Sequence, residues 1–268
     1  MSGLFAITHS MVQSFERCRK QYWFGYLSGL ERPEDVVSPP GLVGNGVHRA
    51  LKTVCLTGDP EDGERELDAY LRMPAHECAG PGTEHYTRAM DLLRRGAEAH
   101  ASIDSDDRWA ELDTWVPVHS RGVTLRARID RADRLRNGEW QVIDWKTGHD
   151  IDEVTDAQLD LGHVAVRTTF QLPSETVVSA IGWNLRSGQV RVRRLHSTDA
   201  KATVKRYIGI ANRIRTTTEF AATPNRACGF CAWRPPLSWA ADAPAASEWD
   251  WDDGDDETPD ALPGAALA

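Results

Sequence analysis

The sequence contains no uninterrupted apolar run close to the ~18 residues that a membrane-spanning helix requires, so we expect no membrane partner. Its opening segment, MSGLFAITHSMVQSF, has no basic region followed by a long apolar stretch, so a secretory signal is not expected either. No phosphate-binding loop of the Walker type is present, which excludes a P-loop motor from this sequence. Together these absences favour a cytoplasmic protein.

Cysteine is scarce, with five residues in 268. In a cytoplasmic protein such thiols are expected to be reduced, buried or bound to a metal rather than paired in disulfides. Cys55 and Cys78 have no partner pattern around them, and we predict that both lie in the core.

Basic residues are missing from the end of the chain, because no Lys or Arg follows Arg234. Nine of the 40 acids lie in residues 240–268, which leaves 31 acids against 31 Lys and Arg in the rest. The formal net charge of −9 therefore belongs to the end of the chain and does not argue against an anionic substrate. Residues 241–268 are predicted to form an acidic disordered tail. The tail either keeps the protein soluble or competes with nucleic acid for a basic groove.

Periodicity divides the rest of the chain into a helical part and a part rich in strands. The spacing of Phe15, Cys18 and Tyr22 predicts a helix from Met11 to Leu27 with Ser10 as its N-cap. A second helix is predicted over GLVGNGVHRALKTVCL, and residues 60–104 are mostly helical. Later elements are predicted as strands near 110–119, 122–135 and 139–146, a helix around 154–170, strands over TVVSAIGWNL and QVRVRRL, and a helix over 198–218.

These elements predict an α/β (α+β) fold, in which helices flank a mixed β-sheet. We expect a single domain over residues 1–240. It would comprise a mainly helical part at 8–105, a sheet-bearing core at 106–218 and a cysteine segment at 219–240.

Two acids and a lysine lie near the ends of adjacent predicted strands. Because strand side chains alternate, Arg126, Arg128 and Asp130 share one face, and Asp144 and Lys146 point the same way. A hairpin through the RNG turn would place Asp130 and Asp144 side by side. Crowded carboxylates repel unless a cation lies between them, and Mg²⁺ or Mn²⁺ prefers such oxygen ligands. The alternative is an exposed ion pair, which is common on strands and contributes little stability.

Six short segments follow one another in a set order over residues 8–236. They read SFERCRKQYWFGYLSGL, GNGVHRAL, ARIDRAD, VIDWKTG, DAQLDLG and CGFCAWRP. In this order they resemble the RecB-like branch of the PD-(D/E)XK nucleases, which includes the CRISPR-associated iron–sulfur exonucleases. The resemblance implies a restriction-endonuclease-like core and hydrolysis of phosphodiester bonds.

The resemblance also implies roles for individual residues. His48, Asp130 and Asp144 would bind a catalytic Mg²⁺ or Mn²⁺, with the main-chain carbonyl of Trp145 completing the set. Lys146 would position or activate the attacking water. Gln158 would support the site from the following helix, although a buried glutamine bonded to backbone is an equally ordinary interpretation.

The chain departs from the family pattern at two places. Where family members carry a tyrosine one helical turn after the glutamine, this chain has Gly162. The iron–sulfur branch needs four cysteines for a [4Fe–4S] cluster, and here Cys18, Cys228 and Cys231 fit while Leu237 occupies the fourth position. A cluster with a non-cysteine fourth ligand, a zinc ion, or apolar packing without metal are the three alternatives.

Basic and aromatic residues suggest how nucleic acid would be held. The candidate phosphate-binding residues are Arg121, Arg126, Arg128, Arg131, Arg134, Arg136, Arg191, Arg193, Arg194, Lys201, Lys205 and Arg206. Among them Arg126, Arg128 and Arg131 lie on the central strand. Tyr22, Trp23 and Trp233 either stack on bases or pack in the core.

The sequence thus predicts a metal-dependent DNA nuclease, acting as an exonuclease on single-stranded DNA or DNA ends. Recombination, repair and CRISPR adaptation are the processes that the resemblance implies, with a separate helicase or CRISPR adaptation protein as partner. The alternative is a catalytically inactive DNA-binding subunit that keeps the nuclease fold.

Overall fold

A computed structural model describes residues 4–30, 38–148, 156–225, 228 and 231–233. The strands are β1 (Phe5–Thr8), β2 (Ser105–Val118), β3 (Val123–Leu135), β4 (Trp140–Lys146), β5 (Val178–Asn184) and β6 (Val190–Leu195). The helices are α1 (His9–Arg17), α2 (Arg19–Tyr26), α3 (Pro39–Thr57), α4 (Pro60–Leu71), α5 (Glu84–Ala101), α6 (Asp156–Thr169) and α7 (Ser197–Thr216). Two short 3₁₀ turns span Pro74–Ala79 and His119–Arg121. No described helix is long and apolar enough to cross a bilayer.

The first predicted helix is wrong in two respects. It is two helices, because Cys18 has extended backbone angles (φ −158°, ψ 108°) and separates α1 from α2. The N-cap is Thr8, whose hydroxyl accepts a hydrogen bond from the Met11 amide at 3.1 Å. The predicted Ser10 lies two residues further along, within α1. Strand β1, only four residues long, precedes the cap and was not predicted.

The sheet is mixed, as the sequence predicts, and its order is β1-β3-β4-β5-β6 with β2 also paired to β3. Strand β3 pairs with three other strands. On one of its edges, β2 follows it from Val123 to Leu135. Two strands share the other edge. Parallel β1 pairs with residues 123–126, and antiparallel β4 pairs with residues 131–134.

This arrangement leaves an opening beside the middle of β3. In the described chain, residues 127–130 pair with β2 on one edge only, since β1 ends before them and β4 begins after them. The end of β1, the start of α1 and the last residues of β4 meet at this opening.

Two apolar cores lie around the sheet. The larger core joins the strands to α1, α6 and α7, with Tyr22 and Tyr207 fully buried in it. The second core joins α3, α4 and α5 to strand β4 through Ile143 and Trp145. Since Val142 belongs to the first core and Ile143 to the second, the residues of β4 alternate between the two sides. The fold class predicted from the sequence is thereby confirmed, with helices on both sides of a mixed sheet.

The isolated cysteines differ from each other. Cys55 is buried, as predicted, whereas Cys78 is exposed in the 3₁₀ turn, so its assignment to the core is wrong. Residues 241–268 and Leu237 lie outside the described residues, and the tail and the fourth cluster position stay predictions.

Candidate active site

A cavity of about 650 Å³ fills the opening beside β3. One wall carries polar side chains from the start of α1, among them His9, Ser10 and Gln13. The opposite wall carries Asp130, Asp144, Lys146, Gln158 and Gly162. The cavity therefore gathers the acids and the lysine that the sequence singled out.

Strand pairing brings Asp130 and Asp144 together. The last register pair between β3 and β4 is Arg131 with Ile143, so the next position in an antiparallel pair places Asp130 opposite Asp144. The Trp145 amide donates a hydrogen bond of 2.9 Å to Asp130 Oδ2, which fixes this carboxylate against β4. The side chains of Asp130 and Asp144 are 14% and 19% exposed, so both reach the cavity without facing open solvent.

Asp144 is held from two sides. Lys146 Nζ lies 2.9 Å from Asp144 Oδ2, as expected for residues two apart on one face of a strand. From α6, the Gln158 amide donates a 2.5 Å hydrogen bond to Asp144 Oδ1. Gln158 thus bonds to a side chain of the site, and the alternative of a purely backbone-bonded glutamine does not describe this contact.

Helix α3 brings His48 to the opposite side of Asp130, with His48 Nδ1 3.3 Å from Asp130 Oδ1. The glycine one turn earlier explains how the helix can come so close. A Cβ atom at Gly44 would lie 3.1 Å from the Thr147 hydroxyl, just beyond the end of β4. The Gly-x-x-x-His pattern therefore combines a close helix–strand approach with an imidazole directed at the site.

The buried charges shift one another's pKa values. Burial, and next the neighbouring Asp130, raise the pKa of Asp144 to about 6, although Lys146 and His48 oppose the rise. Burial also acts to raise the pKa of Asp130, but His48, the Trp145 amide and Lys146 outweigh it and lower that pKa. Burial acts against a protonated His48, yet the charge and hydrogen bond of Asp130 prevail and raise its pKa. Carboxylates crowded in this way, with shifted pKa values, are typical of sites that bind a cation.

Glu111 on β2 joins this group and was missed in the sequence. Ligand atoms of His48, Glu111 and Asp130 all lie within 4.8 Å of one another, and no other group of three such residues is found within the described chain. Neither the residue type nor the alternation of β2 distinguishes Glu111 from the other acids of that strand. The distinguishing feature is its backbone, with φ at 52°, which a sequence does not display.

The donors present fit a divalent cation of the Mg²⁺ or Mn²⁺ class. The imidazole of His48 and the carboxylates of Glu111 and Asp130 form the close group, and such hard or borderline donors suit these ions. Asp144 lies beside this group, opposite Asp130 on β4, without belonging to it. The two acids, the histidine and Lys146 are the residues predicted from the sequence, and the structure brings them together. The predicted contribution of the Trp145 carbonyl stays a prediction.

The arginines of β3 do not behave as one group. Arg131 is 1% exposed and its Nη2 lies 2.7 Å from Asp133 Oδ1, in a buried network with His100 and Gln141. Its assignment to DNA binding is therefore wrong, because a buried and fully bonded guanidinium cannot reach a phosphate. Arg126 and Arg128 line the cavity and are exposed, but each pairs with an acid of β2, Asp113 and Glu111 respectively.

The aromatic residues predicted as possible base-stacking groups belong mainly to the core. Tyr22 is 0% exposed and Trp233 is 7% exposed, and Trp233 stacks on Phe24 with ring centroids 5.1 Å apart. Their alternative role in packing is the one observed. Trp23 is partly exposed and lies beneath the ammonium group of Lys20, 5.0 Å from its ring centroid.

Cys18, Cys228 and Cys231 come together although they are far apart in sequence. Burial raises the pKa of Cys231, and the nearby Cys18 and Cys228 raise it further. A zinc ion at ~2.3 Å from each sulfur would bring the three sulfurs to about 3.8 Å from one another. Within the described residues the three thiols are not drawn together to that spacing, and the choice among a cluster, zinc and apolar packing stays a prediction.

Gly162 lies where the family pattern has a tyrosine, and it lines the cavity. A Cβ atom there would meet Val142 at 3.4 Å, an ordinary contact, so the backbone itself does not require glycine. Beside it, His163 is fully buried in α6, and burial together with Arg167 lowers its pKa to about 4. His163 therefore does not replace the tyrosine in the cavity.

One of two similar solved structures supports the fold. A candidate exonuclease from Eubacterium rectale aligns with a TM-score of 0.50 and 14% identity, covering 78% of this chain and 80% of that one. A second structure, SSO0001, aligns with a TM-score of 0.31 and 12% identity over 85% of this chain and 94% of that one. No curated protein matches the sequence.

The family model of the PD-(D/E)XK nuclease superfamily matches residues 6–235, which include every residue of the site described above. The chain belongs to the PD-(D/E)XK nuclease superfamily.

Proposed function

We propose that the protein is a metal-dependent deoxyribonuclease that acts as an exonuclease on single-stranded DNA or DNA ends. The observation that carries this proposal is the fixed pair of carboxylates, Asp130 and Asp144, with Lys146 Nζ 2.9 Å from the second. An exposed ion pair would need neither the Trp145 amide on Asp130 nor the Gln158 amide on Asp144.

The residues of the site would have different roles in hydrolysis. His48, Asp130 and Asp144, with the Trp145 carbonyl, would hold the cation, which supplies a Lewis acid for the phosphate oxygens when bound. Gln158 keeps Asp144 in one orientation, and the Trp145 amide does the same for Asp130. Lys146 places its ammonium group where it can hydrogen-bond a water molecule or a phosphate oxygen that carries developing charge.

The shape of the cavity supports action at a strand end. The opening lies between the end of β1 and the end of β4, and α1 covers one side of it. A single strand would be the smaller of the two possible occupants of this recess, and the test below compares it with a duplex. Recombination, repair or CRISPR adaptation would supply such ends, together with a separate helicase or CRISPR adaptation protein.

The test compares end-labelled linear single strands, linear duplexes and circular single strands, each with Mg²⁺ or Mn²⁺. We expect the linear single strand to be degraded and the circle to resist. Asp144→Ala and Lys146→Ala should lower the rate by about 10²–10³-fold. Asp113→Asn is the matched control, because Asp113 is an exposed acid of β2, in the same sheet, that lies outside the cavity lining.

Each unfavourable outcome has a definite meaning. Cleavage of the circle at the rate of the linear strand would overturn the exonuclease part of the proposal. Equal cleavage by wild type and both active-site variants would overturn the assignment of the site. DNA binding without any cleavage by the wild type would identify the chain as a DNA-binding subunit that has kept the nuclease fold.

The cysteine segment adds a separate proposal. Cys18, Cys228 and Cys231 would hold an iron–sulfur cluster with a non-cysteine fourth ligand, because the three thiols adjoin one another and come from both ends of the domain. Visible absorbance of protein purified without oxygen would reveal the cluster. A colourless protein containing no iron would overturn this proposal and leave the nuclease proposal intact.

A further inference from the structure

Glu111 is one of three acids on a single face of β2. Asp107, Glu111 and Asp113 each pair with an arginine of β3, and the β2–β3 register runs without a shift from Asp107 to Val118. Asp107 and Asp113 have side chains that are 46% and 44% exposed, whereas that of Glu111 is 8% exposed. Glu111 also has a φ of 52°, in the left-handed region that is uncommon for a residue other than glycine.

The strand register places Glu111 beside the cation site. The β2–β3 register pairs Ala110 with Arg131 and Leu112 with Ile129, so Glu111 lies opposite Asp130. Asp144 lies opposite Asp130 on the next strand, and three acids therefore stand in one row across β2, β3 and β4. The Glu111 side chain is only 8% exposed, and its carboxylate lies within 4.8 Å of ligand atoms of both His48 and Asp130.

Glu111 pairs with an arginine whose side chain is exposed to solvent. The guanidinium of Arg128, whose side chain is 72% exposed, pairs with the Glu111 carboxylate through both Nε and Nη2. One pair further along the same hairpin, Arg126 binds Asp113 in the same diagonal geometry, but there both side chains are about half exposed. The two pairs are alike in chemistry and strand position and differ in the burial of the acid.

Because Glu111 is buried and Arg128 is exposed, a divalent cation and the arginine compete unequally for the Glu111 carboxylate. A carboxylate that is shielded from water, close to His48 and Asp130, gains more from a divalent cation than from a mobile surface arginine. An exposed arginine released from its carboxylate is a phosphate-binding group at the mouth of the cavity.

We propose that Glu111 is an additional cation-binding residue of the site, and that Arg128 holds its carboxylate until the cation displaces it. This inference rests on the proposed function, because it concerns the same cation. Displacement frees Arg128 for a phosphate of the DNA backbone. Cation binding and DNA binding therefore strengthen each other through one shared ion pair.

The test is a calorimetric titration of metal-free protein with Mn²⁺, in the absence of DNA. Glu111→Gln, which keeps the shape of the side chain, should weaken Mn²⁺ binding by about tenfold or more. Arg128→Gln removes the competitor and should tighten Mn²⁺ binding several-fold. Asp113→Asn and Arg126→Gln alter the matched exposed pair and should leave the affinity within about twofold of the wild type.

The opposite signs of the two changes protect the test against misfolding, since a damaged protein would not bind Mn²⁺ more tightly. A second measurement follows short single-stranded DNA binding in EDTA. Glu111→Gln should bind more tightly than the wild type, because Arg128 is released, and the gain should disappear in the Glu111→Gln/Arg128→Gln double variant.

The outcomes separate this inference from the proposed function. If Asp144→Asn loses Mn²⁺ while Glu111→Gln binds it as the wild type does, the role of Glu111 is overturned and the cation site stands. An unchanged affinity in Arg128→Gln overturns the competition between Arg128 and the cation. If the wild type binds no Mn²⁺, the proposed function and this inference fail together.

Discussion

At the scale of single residues, substitution of Lys146 can distinguish a loss of catalysis from a loss of cation binding. Its ammonium group contacts Asp144 at 2.9 Å but offers no lone pair to a cation. Lys146→Met should therefore keep measurable Mn²⁺ binding while cleavage of labelled single-stranded DNA slows by about 10²–10³-fold. Calorimetry and single-turnover rates on the same preparation make the comparison. Parallel loss of Mn²⁺ binding and cleavage would show that Lys146 acts only by supporting Asp144.

The raised pKa of Asp144 predicts that the stability of the metal-free protein depends on pH. Because the folded state raises its pKa from 3.8 to about 6, folding favours its protonated form, and its contribution to stability is lost as pH rises through that range. Asp144→Asn removes the buried charge. In EDTA it should be more stable than the wild type by roughly 1–3 kcal/mol at pH 8, with no gain at pH 4. Urea unfolding at both pH values measures this, and an equal gain at pH 4 would assign the effect to packing.

Arg131 and Arg128 lie three residues apart, and their substitution should cost different amounts of stability. Arg131→Gln leaves Asp133, which is 0% exposed, without its ionic partner and should cost about 3–5 kcal/mol of unfolding free energy. Arg128→Gln leaves Glu111, which is 8% exposed, with the nearby His48 as a cationic neighbour, so its cost should be smaller, on the order of 1–2 kcal/mol. Urea denaturation compares the two. Similar costs would mean that the pair of Glu111 with Arg128 is a structural element rather than a displaceable one.

At the scale of elements, the approach of α3 to β4 sets the position of His48. Gly44→Ala should not weaken the helix, because alanine is the better helix former by about 1 kcal/mol. It should instead press on Thr147, whose hydroxyl would lie 3.1 Å from the new Cβ atom, and move His48 away from Asp130. We expect weaker Mn²⁺ binding at unchanged thermal stability. Adding Thr147→Ala removes the obstruction and should restore binding, and failure of this rescue would rule out the steric explanation.

The hairpin of β3 and β4 shows how much of the candidate site can be predicted from the sequence. Period-two alternation together with the Asn137–Gly138 turn, where Gly138 has φ of 83°, determines the register, and the register places Asp130 beside Asp144. The same alternation places Arg131 on the face opposite Arg126 and Arg128. Its burial thus follows from the pattern once both faces of β3 are known to be covered, which local sequence does not reveal.

The elements that sequence reasoning missed have physical causes of another kind. The chain around Cys18 contains ordinary helix formers, so nothing local indicates that this residue leaves the helix between α1 and α2. Strand β1 is four residues long and is stabilised by pairing with distant residues 123–126. Glu111 depends on a strained backbone at the meeting of three strands. In each case the deciding contacts are long-range, and single-sequence periodicity reports only short-range ones.

At the scale of the whole molecule, most of the predicted phosphate-binding groups already have acidic partners. Eight of the twelve residues named in the sequence pair with carboxylates in the structure: Arg126, Arg128, Arg131, Arg134, Arg136, Arg191, Arg193 and Arg194. Twelve phosphate contacts would give a salt slope of about −8 for single-stranded DNA, and four would give about −3. We expect the shallower slope in affinities measured between 50 and 300 mM salt. A slope near the steeper value would mean that DNA displaces the internal partners.

We expect the acidic end of the chain to weaken DNA binding through its charge. Ending the chain at residue 240 removes nine acids and brings the formal net charge from −9 to about zero. Repulsion between like charges reaches ~30 Å at 0.01 M salt and ~10 Å at 0.1 M, so truncation should tighten DNA binding at low salt and lose its effect near 0.3 M. A full-length variant with the nine acids replaced by their amides should match the truncated protein. If truncation alone tightens binding, the segment obstructs the DNA site by its bulk, and if neither change has an effect at low salt, the tail charges lie beyond the reach of the bound strand.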